Sequence, residues 1–142
     1  MVKFIAHRGN WDGPNPEFEN KIEYLEAAYN KKYNVECDLI GHKEKLYFGH
    51  DVPGEPAKFD FLVQPGVFCH AKNLEGLLLL SDIPGIDYFW HEKDTVTITS
   101  RGYFWCYPGA HPVHNRAIWL DLGGIPLPEN TYGIYGICGD NA

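Results

Sequence analysis

The apolar positions fall into short β-like runs, interrupted by only two stretches with helical spacing. VKFIAHRG opens the series as a strand that ends in glycine. NPEFENKIEYLEAAYNKK then places Phe18, Ile22, Leu25 and Tyr29 on one face of a helix. Asn15 stands where such a helix is capped, Pro16 suits its first turn, and Lys31 and Lys32 suit its negative end. NVECDLIG reads as a second strand and KLYFGHD as a third extended piece, joined through a turn at Gly41 to Glu44. VFCHAKN is another strand, and LEGLLLLSDI is a short helix stopped by Pro84.

Beyond residue 85 the β-like runs continue as DYFWHE, TVTITS, YFWCYPG, AIWLDL and YGIYGICGD, while Gly/Pro loops such as PGAHPVHNR and GGIPLPENT replace the helices. No internal repeat, low-complexity tract or linker divides the chain. The order strand, helix, strand, strand, helix predicts parallel βαβ units with right-handed crossovers. A complete barrel of such units takes about 250 residues, and this chain has 142. The expected fold is therefore α/β, a reduced (β/α) TIM-like barrel of parallel strands with several outer helices missing or replaced by loops. Its later strands would lack helical cover, which a homo-oligomer could supply.

Length and composition narrow the picture. One domain spanning 1–142 is expected, since a chain of this size buries about 68–70% of its unfolded surface. At 44% hydrophobic and 22% charged residues the composition is that of a globular protein. No apolar run approaches the ~20 residues that span a bilayer, and MVKFIAHRG turns polar too quickly for a signal peptide. A soluble, cytoplasmic protein with no membrane span is expected. Net charge −7 opposes a broad basic face for nucleic acid, although local cations can still hold a single phosphate group. Cys37, Cys69, Cys106 and Cys138 each lie in an apolar run without CxxC spacing, which favours reduced, buried thiols.

The candidate chemistry lies where polar residues interrupt strands. Residues two apart on a strand share a face. Glu36 and Asp38 therefore share one side, while Val35, Cys37 and Leu39 take the other. The same spacing pairs His70 with Lys72 and Ile5 with His7. Three strands thus end in ionisable groups at their carboxyl termini, the edge where parallel α/β folds bind ligands. Burying unpaired charge costs several kcal/mol, so the arrangement implies a compensating metal ion or anion. Two carboxylates and an imidazole suit a divalent cation, Arg8 and Lys72 suit phosphate oxygens, and His7 and His50 can exchange protons near neutral pH.

Each element also has a plainer reading. His7-Arg8-Gly9 could be only a strand end, Glu36 and Asp38 an exposed face, Gly49-His50-Asp51 a turn, and Asn73 a helix cap after Lys72. These readings must all hold together to displace the functional one, which makes them the weaker account.

In order and spacing these residues resemble the glycerophosphodiester phosphodiesterases, a TIM-barrel family within the phospholipase C-like phosphodiesterases. The matching motifs are His7-Arg8-Gly9, Glu19-Asn20, Glu36-Cys37-Asp38, His50-Asp51 and, with one change, His70-Ala71-Lys72, covering the first half of the chain. The resemblance implies metal-dependent cleavage of a small phosphodiester. His7 and His50 would be the acid–base pair, Arg8 and Lys72 phosphate contacts, and Glu36 and Asp38 metal ligands. Attack by water or by a neighbouring substrate hydroxyl, giving a cyclic phosphate, both fit. The expected cofactor is one divalent ion, Mg²⁺, Mn²⁺ or Ca²⁺; His70 stands where the family has a third carboxylate, which removes a negative charge and favours a softer ion such as Mn²⁺ or Zn²⁺ over Ca²⁺.

Secondary candidates are Glu19 and Asn20, and, at later strand ends, His91, Trp105, Tyr107, Asp121 and Asp140. His111 and His114 stay outside the expected site, since a Pro/Gly-flanked loop more often just exposes them. The leading expectation is a phosphoric diester hydrolase acting on a glycerophosphodiester-like or phosphoglycan substrate. Two other classes remain: a catalytically silent module binding phosphorylated glycans or glycerol phosphate, and a purely structural protein with no tight divalent site.

Overall fold

The computed structural model describes residues 1–142. Its strands are β1 (Lys3–His7), β2 (Asn34–His42), β3 (Lys45–Phe48), β4 (Val67–Ala71), β5 (Asp87–Trp90), β6 (Val96–Ile98), β7 (Phe104–Cys106), β8 (Ala117–Asp121) and β9 (Gly136–Gly139). They form one sheet in the order β5-β4-β2-β1-β9-β8-β7-β6, with β3 folded back on β2 as an antiparallel hairpin. Every pairing along that path is parallel except β6 with β7. The two ends approach each other, where Ser100 N donates to Tyr88 O at 2.8 Å and Thr97 Oγ1 to Trp90 O at 3.1 Å. The result is a nearly closed, barrel-like sheet of mostly parallel strands, visited in chain order around the ring.

The helices α1 (Ile22–Asn30), α2 (Phe59–Leu62) and α3 (Leu74–Ser81) cover only the first half of the ring. Leu25 and Ala28 of α1, Phe61 and Leu62 of α2 and Leu80 of α3 pack against Val35, Cys37, Leu39, Val67 and Cys69, the outward residues of β2 and β4. Each such leucine contributes about 1.5–3 kcal/mol by leaving water. Inside the barrel Ile5, Phe68, Phe89, Trp105, Ile118, Leu120 and Cys138 form a separate core. All four cysteines are free and buried. No helix is long and apolar enough to cross a membrane.

Besides the antiparallel β6, which breaks the expected all-parallel order, the structure departs from expectation in three places. The first helix begins at Ile22 rather than near Asn15, with Lys21 at its cap position. Residues 15–20 instead form turns, because Glu19 and Asn20 are pulled to the barrel end by hydrogen bonds to Asn10, Asn15 and Asp38. The short α2 was unanticipated, having too few residues to show a period. Cover for β8, finally, comes from the chain's own loops. Trp119 is 1% exposed, its Nε1 donates to Pro112 O at 2.9 Å, and the ring of His111 meets it edge-on at 5.1 Å.

Asn73 fixes the exit of β4. Its Oδ1 accepts from Gly76 N, capping α3, and from Gly41 N, both at 2.9 Å, while its Nδ2 donates to Gly41 O at 2.8 Å. The expected cap is therefore also a clamp joining α3 to β2, and it immediately follows Lys72.

Candidate active site at the carboxyl ends of the strands

Alternation along β2 turns Val35, Cys37 and Leu39 toward the helices and leaves Glu36 and Asp38 on the inner face. These two carboxylates are 2% and 1% exposed. Asp38 pairs in register with His70 on β4, and His70 with Phe89 on β5. The His70 ring stacks on Phe89, with centroids 4.6 Å apart. Its Nδ1 lies 3.4 Å from Asp38 Oδ1 and 3.6 Å from Glu36 Oε2.

At the end of β1 the chain turns sharply, with Arg8 at φ 55° and Gly9 at φ 90°. That turn lets Arg8 N donate to Glu36 Oε1 at 3.1 Å. The guanidinium then reaches Asp38 Oδ2 through Nε at 3.1 Å and Glu19 Oε1 through Nη1 at 3.3 Å. Asn20, at φ 62°, accepts from Asp38 N and donates to Asp38 Oδ2, each at 2.9 Å.

A cavity of about 180 Å³ opens here, lined by His7, Arg8, Glu36, Asp38, His50, His70 and Lys72 on one side and by His91, Trp105, Tyr107, Leu120 and Leu122 on the other. The two remaining secondary candidates on the first side, Glu19 and Asn20, line an adjoining open groove that shares Arg8 and His50 with the cavity. Asp140 stands behind, its Oδ1 2.8 Å from His7 Nδ1. His50 Nδ1 is likewise 2.8 Å from Asp51 Oδ1. The fold thus brings together the residues of both halves of the chain that the sequence singled out, apart from Asp121, which is exposed outside the cavity. His111 and His114 also lie elsewhere, against Trp119 and Phe104.

Sequence reasoning missed Asn10 and Tyr24. Asn10, fully buried, donates through Nδ2 to Glu19 Oε2 and to Asp140 Oδ1, and accepts from Tyr24 OH. It ties the first loop to the last strand. The signal available was its place directly after His7-Arg8-Gly9.

The electrostatics follow from crowding charge in a dry place. Burial works to raise the Glu36 pKa, but the nearby His70 imidazole and the charges of His7 and Arg8 outweigh it and hold the carboxyl well below its usual range. Asp38 goes the other way: burial and the neighbouring Glu36 push it up, against Arg8 and Asn20. Burial lowers the His70 pKa despite Glu36, and burial lowers that of His91 as well.

Two buried carboxylates this near each other are costly unless a cation joins them. Glu36, Asp38 and His70 each offer a ligand atom, all within 4.8 Å of one another. His70 Nε2 is buried with no hydrogen-bond partner. A mixed oxygen and nitrogen donor set of this kind fits a divalent ion. A larger apolar groove of about 570 Å³ between β3, α2 and α3 carries no comparable cluster of chemistry. Comparison with family models, with curated proteins and with solved structures finds no match to this chain.

Proposed function

We propose that this chain is a metal-dependent phosphodiesterase, a shortened and divergent relative of the glycerophosphodiester phosphodiesterases built on a reduced TIM barrel. The observation that carries the reading is the meeting of Glu36, Asp38 and His70 within 4.8 Å in a cavity that also holds His7, His50, Arg8 and Lys72. Glu36, Asp38 and His70 would hold the cation, which when bound supplies positive charge for the phosphoryl oxygens.

The remaining roles belong to the chain's own groups. Lys72 and the Arg8 guanidinium orient the phosphate, and Glu19 and Asp38 hold that guanidinium from two directions. His7 and His50 each have a carboxylate at Nδ1, which leaves Nε2 as the nitrogen free to exchange a proton. One imidazole takes the proton of the attacking hydroxyl, from water or from a neighbouring group of the substrate, as the new P–O bond forms. The other gives a proton to the leaving alcohol oxygen as the old P–O bond breaks.

The substrate follows from size. The cavity of about 180 Å³ has the volume of roughly six waters at about 30 Å³ each. It accommodates a phosphate with a short alcohol, while a larger glycan would extend into the adjoining groove.

The test is turnover of bis(p-nitrophenyl) phosphate and of glycerophosphodiesters with Mg²⁺, Mn²⁺, Ca²⁺ or Zn²⁺, beside His7→Ala and His50→Ala. Each variant is expected to lose about 10²–10⁴-fold in rate. Wild-type protein silent with every metal on every diester overturns the enzymatic reading. Retained binding of glycerol phosphate would then identify a binding module.

A further inference from the structure

We propose that Asn10 is a positioning residue whose single amide holds the acid–base histidine His7 and the phosphate contact Arg8 in one fixed arrangement, acting on each through a carboxylate. The roles of His7 and Arg8 rest on the reading of the cavity as a phosphodiesterase site; the placement of their side chains by Asn10 does not.

Asn10 is fully buried. Its Nδ2 donates to Asp140 Oδ1 at 2.9 Å and to Glu19 Oε2 at 3.1 Å, and its Oδ1 accepts from Tyr24 OH at 2.8 Å. Asp140 Oδ1 is also the atom that meets His7 Nδ1 at 2.8 Å, and the other oxygen of Glu19 accepts from Arg8 Nη1 at 3.3 Å. Two short chains therefore start from one nitrogen, one running to the imidazole and one to the guanidinium. His7 and Arg8 are consecutive and must address one phosphate, and misplacing a reacting group by about 1 Å can cost about 10²-fold in rate.

An amide of this length suits the place. Ionised carboxylates only accept, so two of them meeting at one point call for a group with two N–H hydrogens. Aspartate would bring a third acceptor, serine offers one hydrogen, and the amide of glutamine would stand one methylene farther out. The amide is oriented from both sides, since its oxygen has the Tyr24 hydroxyl as donor. Tyr24 packs against Gly9, where a Cβ would lie 2.8 Å from its Cδ2, and stacks on Trp11 with centroids 5.5 Å apart. The backbone already joins the two segments, through Gly13 N to Asp140 O at 2.7 Å and Ala142 N to Trp11 O at 2.8 Å. What the Asn10 side chain adds is direction: it fixes which way the two carboxylates point.

The test is made on the whole chain, first without metal. In ¹H–¹⁵N spectra the His7 Nδ1–H and Arg8 Nε–H signals are assigned by their loss in His7→Ala and Arg8→Lys. Asn10→Ala is expected to shift both signals and to speed their exchange with solvent by about tenfold or more. Gly41→Ala, which destabilises the protein through α3 with Asn10 intact, should move neither. On bis(p-nitrophenyl) phosphate with Mn²⁺, Asn10→Ala should lower kcat by about 10²-fold and raise KM as well, since it loosens one group of each kind. Should Asn10→Ala fail to fold, Tyr24→Phe keeps the ring, removes only the bond to Asn10 Oδ1, and should shift both signals in the same direction by less. Signals that stay in place in the folded variant, or only one that moves, overturn the proposal. Wild type without turnover on any diester, but with both signals moving in the variant, overturns the enzymatic reading and leaves the placement standing. Turnover that survives Asn10→Ala unchanged overturns the positioning role and leaves the enzyme.

Discussion

Asp140 Oδ1 lies 2.8 Å from His7 Nδ1, across a separation of 133 residues, because the parallel β1–β9 ladder places Gly139 beside Ala6. Burial acts to lower the His7 pKa, but the Asp140 bond and the charge of Glu36 outweigh it, so His7 titrates above 6.5. Burial acts to raise Asp140, and the bonds from His7 and Asn10 outweigh it in turn, holding that carboxyl below 3.8.

The sign of the resulting pH dependence follows. A histidine raised on folding contributes stability that is complete below 6.5 and is lost as pH rises through its folded value. A carboxyl lowered on folding contributes stability that is complete above 3.8 and is lost as pH falls through its folded value. The pair therefore stabilises metal-free protein fully between these two limits. In Asp140→Asn, the His7 pKa followed by NMR should drop, and the melting deficit against wild type should be largest in that window and narrow above it. An unmoved His7 titration, or a deficit independent of pH, would refute the coupling.

Gly41 of β2 is where the start of α3 comes closest to the backbone of that strand. A Cβ there would lie 2.5 Å from Gly76 N and 2.6 Å from the backbone carbon of Glu75, neither of which is a flexible side-chain end. Gly41→Ala is expected to lose about 1–3 kcal/mol, the usual range for overpacking, as measured by denaturant unfolding. Asn73→Ala should lose a similar amount, since it removes the α3 cap and both bonds to Gly41. Stability unchanged in Gly41→Ala would mean that α3 is not held against β2 as described.

The first half of the barrel was legible because the period of a strand leaves no freedom. Once Val35, Cys37 and Leu39 face the helices, Glu36 and Asp38 must face inward, and a parallel neighbour places His70 opposite Asp38. Asn73 and the strand ends carrying His91 and Tyr107 were readable in the same way. The start of α1 was not. Helical spacing runs back to Phe18, but the side chains of Glu19 and Asn20 have partners at the barrel end that outweigh a local preference for helix. The bond between His7 and Asp140 was beyond reach because nothing in the local pattern shows that the last strand, β9, pairs with the first, β1. The reversal of β6 against β7 left no mark on its apolar pattern.

Asn20 is held at φ 62°, a conformation that costs glycine nothing. Asn20→Gly therefore removes the two hydrogen bonds to Asp38 without straining the backbone. The loss leaves Asp38 N without its partner and Asp38, a proposed ligand, held by Arg8 alone on that side. Outer partners of metal ligands are worth about 10–100-fold in affinity, and a drop of that size is expected when Mn²⁺ binding is measured by calorimetry. Unaltered affinity in Asn20→Gly would remove Asn20 from the site.

Glu36 and Asp38 make opposite demands on the metal-free protein. Glu36 stays ionised beside His70, while burial and the charge of Glu36 act against an ionised Asp38. Removing the second charge should relieve that repulsion, so metal-free Asp38→Asn is expected to melt at or above the wild-type temperature. Wild type should gain about 2.7 kcal/mol from a divalent ion at about 100 times its dissociation constant. Asp38→Asn, Glu36→Gln and His70→Ala should each lose most of that gain, since each removes a ligand atom from the cluster. Thermal melts of the four proteins with EDTA and with Mn²⁺ separate this from a merely structural role. A purely structural cluster would make Asp38→Asn less stable in EDTA and would leave every protein indifferent to the metal.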